Sequence, residues 1–137
     1  MKKLTPNLSR EEFSCNCGCG FNAADYELVL ALQAACDYFG NHLNSVIWIE
    51  ITGPNRCYQW NLHEEGSEDS KHLWAMAADI KLFRAAFING RKKKGDQIPA
   101  DLIAGFFEEN YKTFGIGRYS NRTHIDSRAT GAARWKE

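Results

Sequence analysis

Among the four histidines of the chain, His72 and His124 each have an aspartate close by: Asp79 follows the first, and Asp126 stands two places after the second. A catalytic zinc ion takes about three protein ligands from the histidine, cysteine and carboxylate set and leaves a position open for water. His72 and Asp79 supply two such ligands if the chain turns between them and enters a strand at Asp79. Ala75, Ala77 and Ala78 intervene, small enough to let backbone pass close to a metal pocket. His124 would be the third ligand. On spacing alone a bland reading stays open beside this one, since a histidine on a strand is also commonly a satisfied core or surface group. His42, just past a helix end, and His63, in a charged loop, suit the surface.

Five cysteines are present, and Cys15, Cys17 and Cys19 crowd into one short stretch. Zinc ribbons and fingers usually space their cysteines C-x2-C or wider, so C-x-C-x-C favours a structural turn over a metal site. In a cytosolic product the default state is reduced thiols. Cys36 falls on the apolar side of an expected helix and reads as a small buried hydrophobe.

The elements that must carry these residues are legible in outline. A helix is expected over Ala23–Phe39, capped by Asn22, with Asp25 in its first turn, Gly40 after its end and a buried stripe of Val29, Leu32, Cys36 and Phe39. Val46–Ile51 is rich in β-branched residues and reads as a strand, broken by Gly53-Pro54-Asn55. A polar loop over about 62–70 leads to His72, and Ala78–Leu82 reads as a short strand. The run Arg91-Lys92-Lys93-Lys94 reads as a solvated loop. A second helix is expected from Pro99 to Phe114, with Gly115 past its end and Ile103, Phe107 and Phe114 on its buried side. Phe114–Tyr119 and Thr123–Asp126 flank Ser120-Asn121-Arg122 as a hairpin. The sum is an α+β fold, a small antiparallel sheet with helices packed against it, over a single domain spanning 1–137.

Read together, Ser70-x-His72-x-x-Ala75-x-Ala77-x-Asp79 and His124-x-Asp126 resemble the D-Ala-D-Ala carboxypeptidase family of zinc peptidases, which includes phage endolysins. That family's pattern is S-x-H-x-x-G-x-A-x-D followed by H-x-D or H-x-H. Phe13-Ser14-Cys15-Asn16-Cys17-Gly18-Cys19-Gly20 looks like the opening of a small single-domain branch of it. Thr52-Gly53-Pro54-Asn55-Arg56-Cys57 with Asn61 resembles its S-G-Y-R-C-x-x-x-N stretch, and Gly115-Ile116-Gly117-Arg118-Tyr119 its G-x-G-R-Y hairpin. Ala75 departs from the usual Gly, and Pro54-Asn55 from the usual Gly-Tyr.

The resemblance implies one Zn2+ per chain, held by His72, Asp79 and His124, in a fold like that of the hedgehog signalling domain. It implies hydrolysis of peptide bonds in peptidoglycan stem peptides, by carboxypeptidase or endopeptidase action. The metal lowers the pKa of water from about 15.7 towards 7 and polarises the scissile carbonyl. Many members carry an acid three places before the last histidine, where this chain has Asn121. Asp126 is the preferred substitute as general base, because residues two apart on a strand share a face, with Arg122 on the same side. An equal reading makes Asp126 the group that orients His124 through its ring N–H. Glu64, Glu65, Glu68 and Asp69 are outside candidates. Arg56 would grip a substrate carboxylate or carbonyl, against the alternative of an arginine tying loop to strand. Ser70 either supports that pocket or caps the turn before His72, and Trp74 either walls the cleft or packs inside.

Seventeen basic and seventeen acidic residues cancel, which excludes a global field for nucleic acid or an anionic membrane. No stretch approaches the ~18 apolar residues of a membrane span, and Met1-Lys2-Lys3-Leu4-Thr5-Pro6 does not read as a signal peptide. Synthesis in the cytosol is therefore expected, with the cell wall or a phage particle as site of action and a membrane-perforating partner for release. The alternative class is a zinc-bearing binding or structural module of the same fold without turnover. A redox or zinc-knuckle protein built on Cys15, Cys17 and Cys19 ranks below both.

Overall fold

Short apolar runs such as Ile47–Gly53 and Gly115–Arg118 make strands, and six strands meet in one mixed sheet. A computed structural model describes residues 3–137, so Met1 and Lys2 of the N-terminal reading lie outside the described residues. A two-residue-deep hairpin of β1 (Lys3–Thr5) and β2 (Leu8–Ser9) precedes a 3-10 turn, Arg10–Phe13. Then follow α1 (Tyr26–Leu43), β3 (Ile47–Gly53), α2 (Tyr58–His63), a 3-10 turn Lys71–Trp74, β4 (Ala77–Ile88), β5 (Arg91–Gln97), α3 (Ala100–Asn110), β6 (Gly115–Arg118), β7 (Thr123–Asp126) and β8 (Ala133–Lys136).

The main sheet runs β3-β4-β7-β6-β8, with β5 also paired to β4. β4 is long enough to serve two neighbours on one edge: Ala77–Ile80 pair with β7, and Phe83–Ile88 pair with β5. All main-sheet pairings are antiparallel except β6 with β8, which is parallel. The expected α+β architecture holds, with that parallel edge added. α1 and α3 cover one face: Leu28, Leu32, Phe39, Ile103 and Phe107 pack on Ile80, Leu82, Ile116 and Ile125 in one hydrophobic cluster. Fully burying such side chains stabilises by about 1.5–3 kcal/mol each.

Several boundaries moved. α1 starts at Tyr26 because Asp25, not Asn22, is its cap, its carboxylate accepting from Leu28 N–H at 3.3 Å. The helix runs through Gly40 and stops at Asn44, which takes the left-handed conformation at φ 49°. α3 begins just after Pro99 and ends at Asn110, where Tyr111 N–H bonds back to Phe107 O at 2.7 Å. The basic run Arg91–Lys94 is not a loop: it is the first half of β5, every side chain exposed, Lys94 Nζ 2.9 Å from Glu50. An edge strand studded with lysines is protected from pairing with another chain.

Candidate metal centre

One rung of the sheet carries the site. Gly53 of β3 is the register partner of Asp79 in β4, Asp79 of His124 in β7, His124 of Gly117 in β6, and Gly117 of Trp135 in β8. Register partners place their side chains on the same face some 5 Å apart, so aspartate, histidine and tryptophan line up with glycine as the spacer. A Cβ on Gly53 would occupy the place of the Asp79 carboxylate, and one on Gly117 that of the Trp135 indole. The Trp135 ring stands 4.8 Å, centroid to centroid, from His124.

His72 reaches this rung from the 3-10 turn before β4. Ser70 Oγ accepts the His72 backbone N–H at 3.3 Å, and the His72 carbonyl accepts Arg56 N–H at 3.0 Å. Ala75 closes the turn in the left-handed region at φ 59°, which accounts for glycine being the usual residue in the motif this chain resembles. The His72 ring is fixed by Pro54, whose carbonyl lies 2.9 Å from Nδ1. A carbonyl can only accept, so Nδ1 carries the proton and the Nε2 lone pair points to Asp79 Oδ2, 3.6 Å away.

His124 is held by carboxylates on both nitrogens: Asp79 Oδ1 2.9 Å from Nδ1 and Asp126 Oδ2 2.8 Å from Nε2. Asp126 is itself fully buried and clamped by Arg128, Nε to Oδ1 and Nη2 to Oδ2, both at 2.7 Å. The electrostatics follow from this geometry. Burial pushes the His72 imidazole down to about 4, with His124 and Arg56 adding to that and Asp79 opposing, so it is neutral at pH 7. Burial also opposes a charge on His124, but its hydrogen bonds to Asp126 and Asp79 outweigh it and raise its pKa. Burial likewise opposes charge on Asp79 and Asp126; the His124 bond, with His72 and Arg122, keeps the first below its usual range, and Arg128 and His124 keep the second there.

The ligating atoms of His72, Asp79 and His124 all lie within 4.8 Å of one another. A tetrahedral zinc with bonds near 2.1 Å separates its ligands by ~3.4 Å, so the His72–Asp79 spacing already fits and the His124–Asp79 pair opens by ~0.5 Å. Two neutral imidazole lone pairs and a carboxylate facing one point are a donor set for zinc. The same carboxylates that raise the pKa of His124 favour a cation beside its Nδ1.

Two adjoining clefts open on this point, one of about 510 Å3 and one of about 340 Å3, and both are lined by Arg56, Asp79 and Arg122. The larger also takes in His72, His124, Asp69, Ser70, Tyr119, Arg128 and Trp135; the smaller takes in Glu64, Trp60 and Asn121. Arg56 Nη1 meets Asn61 Oδ1 at 3.4 Å, and Arg122 lies over the Tyr119 ring at 4.0 Å. Among the described residues neither pairs with a carboxylate. Ser70 answers both of its readings, capping the turn and lining the cleft.

Trp74 answers neither. It is 67% exposed and lines neither cleft; Trp135 and Trp60 are the cleft tryptophans. Trp135 and Arg128 went unread in the sequence because the parallel return of β8 has no local pattern. The Ser127-Arg128 pair directly after His124-x-Asp126 was the available signal for Arg128.

A family model described as Peptidase M15 matches residues 6–126, a span that includes every ligand candidate. No curated protein and no solved structure matches the chain. Among the described residues no helix is long and apolar enough to cross a membrane.

Proposed function

The chain belongs to the peptidase M15 family of zinc-dependent metallopeptidases, and on that premise we propose that it cuts peptide bonds in peptidoglycan stem peptides. The observation that carries the reading is the convergence of His72, Asp79 and His124 at the meeting of two polar clefts. Bound there, zinc supplies a Lewis acid and an acidified water. His72 Nε2, Asp79 and His124 Nδ1 are its ligands in this proposal.

The other residues divide the remaining work. Asp126 has both oxygens engaged by Arg128 and His124, so it orients His124 and holds the proton on Nε2. In this proposal Asp126 takes the second of its two readings, orienting His124, and proton transfer falls to another carboxylate. Asp69 is the remaining carboxylate of the larger cleft, and its hydrogen bond from Ser67 keeps it ionised at neutral pH. Asp69 is thus assigned as the group that takes the proton from water and passes it to the leaving amine. Arg56 and Arg122 receive substrate carboxylate, for which a planar guanidinium with no carboxylate partner of its own is suited. Stem peptides carry such carboxylates at terminal D-Ala and on their acidic residues. Access to the wall through a membrane-perforating partner belongs to the same proposal.

Asn121, lining the smaller cleft where an acid is common, favours a second reading: a zinc-bearing binding module without turnover. Incubation of the zinc-loaded protein with peptidoglycan of several wall types, with His72→Ala in parallel, separates the two by mass spectrometry of released fragments. Loss of terminal D-Ala identifies a carboxypeptidase, and an opened cross-link identifies an endopeptidase. No mass change on any wall, with zinc still held at His72, would establish the binding module.

A further inference from the structure

Four of the five cysteines come together although they are far apart in sequence. Cys15 and Cys17 Sγ are 3.4 Å apart, Cys17 and Cys57 Sγ 3.6 Å, and the sulfurs of Cys15, Cys17, Cys19 and Cys57 all lie within 4.8 Å of one another. Cys36 stays apart in the core under α1. We propose that Cys15, Cys17, Cys19 and Cys57 bind a second, structural zinc ion through four thiolates, and that this ion staples the N-terminal segment to the loop carrying Arg56.

The spacing argues for an ion. Zinc–sulfur bonds of about 2.3 Å give tetrahedral sulfur–sulfur edges of ~3.8 Å, close to the separations found. Local sequence gives C-x-C-x-C, too tight for a common zinc ribbon, but the fourth ligand arrives from the loop after β3, which local spacing cannot reveal. The backbone is shaped to suit. Gly18 and Gly20 take φ of 83° and 89°, bending the chain back between and after the cysteines, and Gly18 N–H bonds to Cys15 O at 3.1 Å. Backbone N–H groups point at the sulfurs: Cys57 N–H at Cys15 Sγ and Trp60 N–H at Cys57 Sγ, both 3.4 Å. Each thiol gives its proton to solvent on ligation, and the four new thiolates are met by the metal and these donors.

The segment 14–25 has no helix or strand, a stretch long enough to need an anchor. Asn55 is one of its other anchors: it is buried and donates from Nδ2 to Ala23 O at 2.6 Å and to Phe21 O at 3.4 Å, while Asp25 N–H bonds to Ala75 O at 2.9 Å. Asn55 lies between Pro54, which holds the His72 ring, and Arg56. A metal knot at Cys57 therefore fixes the loop that orients a catalytic ligand on one side and presents a substrate arginine on the other. Its ligands are separate from those of the catalytic centre.

The test uses the full chain purified under reducing conditions in zinc, with metal counted per chain by mass spectrometry and cobalt exchanged in as a spectroscopic probe. Two zinc ions per wild-type chain are expected. His72→Ala should keep one, and its cobalt form should show sulfur-to-metal charge-transfer bands and the strong visible bands of a tetrahedral tetrathiolate. Cys19→Ser, at an exposed position, should lose one zinc and those bands while keeping the zinc of the histidine site. A wild-type chain holding one zinc, with no sulfur-to-cobalt band, overturns the proposal. So does pairing of these cysteines into disulfides, read as lost hydrogens in the intact mass, in a protein that binds no second metal. Neither result depends on peptidase activity, so failure here leaves the catalytic reading standing.

Discussion

Asp126 Oδ2 lies 2.8 Å from Nε2 of His124, and that bond decides which nitrogen of the ring faces the cleft. With the proton held on Nε2, Nδ1 presents its lone pair beside Asp79. Asp126→Asn offers an amide where the imidazole N–H and two guanidinium N–H groups all need acceptors. Zinc affinity should fall about 10–100-fold, measured by competition with a chelator, while kcat at saturating zinc changes far less. Unchanged affinity with a collapsed kcat and a lost acidic limb would return Asp126 to the role of base.

Asp69→Asn should behave in the opposite way. Its effect should be a kcat loss of about 10²–10⁴-fold with zinc content intact, since general acid–base catalysis contributes on that scale. Glu64→Gln, in the neighbouring cleft, should leave kcat within a few-fold. Reversal of the two results would move the proton transfer to Glu64.

Arg56→Lys and Arg122→Lys should raise KM for a substrate with a free terminal carboxylate, each by about 10-fold or more, because a charged hydrogen bond contributes about 1.5–3 kcal/mol. The same substrate with its terminus amidated should feel neither change. Equal losses on both substrates would make the arginines structural.

How much of this was open to a reader of the sequence depends on distance along the chain. His72, Asp79 and His124 are legible because a motif names them, and strand periodicity put Asp126 beside His124, as their 2.8 Å contact bears out. Periodicity could not say that Arg128 saturates Asp126, because that contact depends on the chain turning out of β7. β5 was misread because four consecutive charges suppress any alternation, and its strand character comes from pairing with β4 alone. Cys57 shares nothing local with Cys15–Cys19, and only the fold brings it there. Trp135 arrives through a parallel pairing from the C-terminal end.

Away from the site, Arg118 of β6 clamps Glu108 of α3, Nη2 to Oε1 at 2.6 Å and Nε to Oε2 at 3.3 Å. That bond keeps the Glu108 carboxyl below its ordinary pKa. A depressed carboxylate stabilises the fold above its unfolded pKa, about 4.3, and loses that contribution as pH falls through the lower folded value. Glu108→Gln should therefore cost about 0.5–1 kcal/mol at pH 7, at the upper end for a partly exposed pair. The difference should vanish at about pH 2–3, read from urea unfolding of both proteins at each pH.

Gly53 is where the sheet makes room for the metal. Its register partner is Asp79, and a methyl group on Gly53 would take the space of the Asp79 carboxylate. β3 cannot withdraw, because its pairing with β4 continues through Ile51, Glu50 and Ile49 into the core. Asp79 must therefore rotate away, giving up the 2.9 Å contact to His124 and the aim of Oδ2 at His72. Gly53→Ala should lose zinc at the histidine site while the chain still folds, destabilised by about 1–3 kcal/mol as for an overpacked position. Metal content and thermal unfolding measured on one preparation check both halves. Full zinc occupancy in that variant would mean that the Asp79 carboxylate reaches the metal from a different rotamer, and that the glycine at this rung serves the turn after β3 instead.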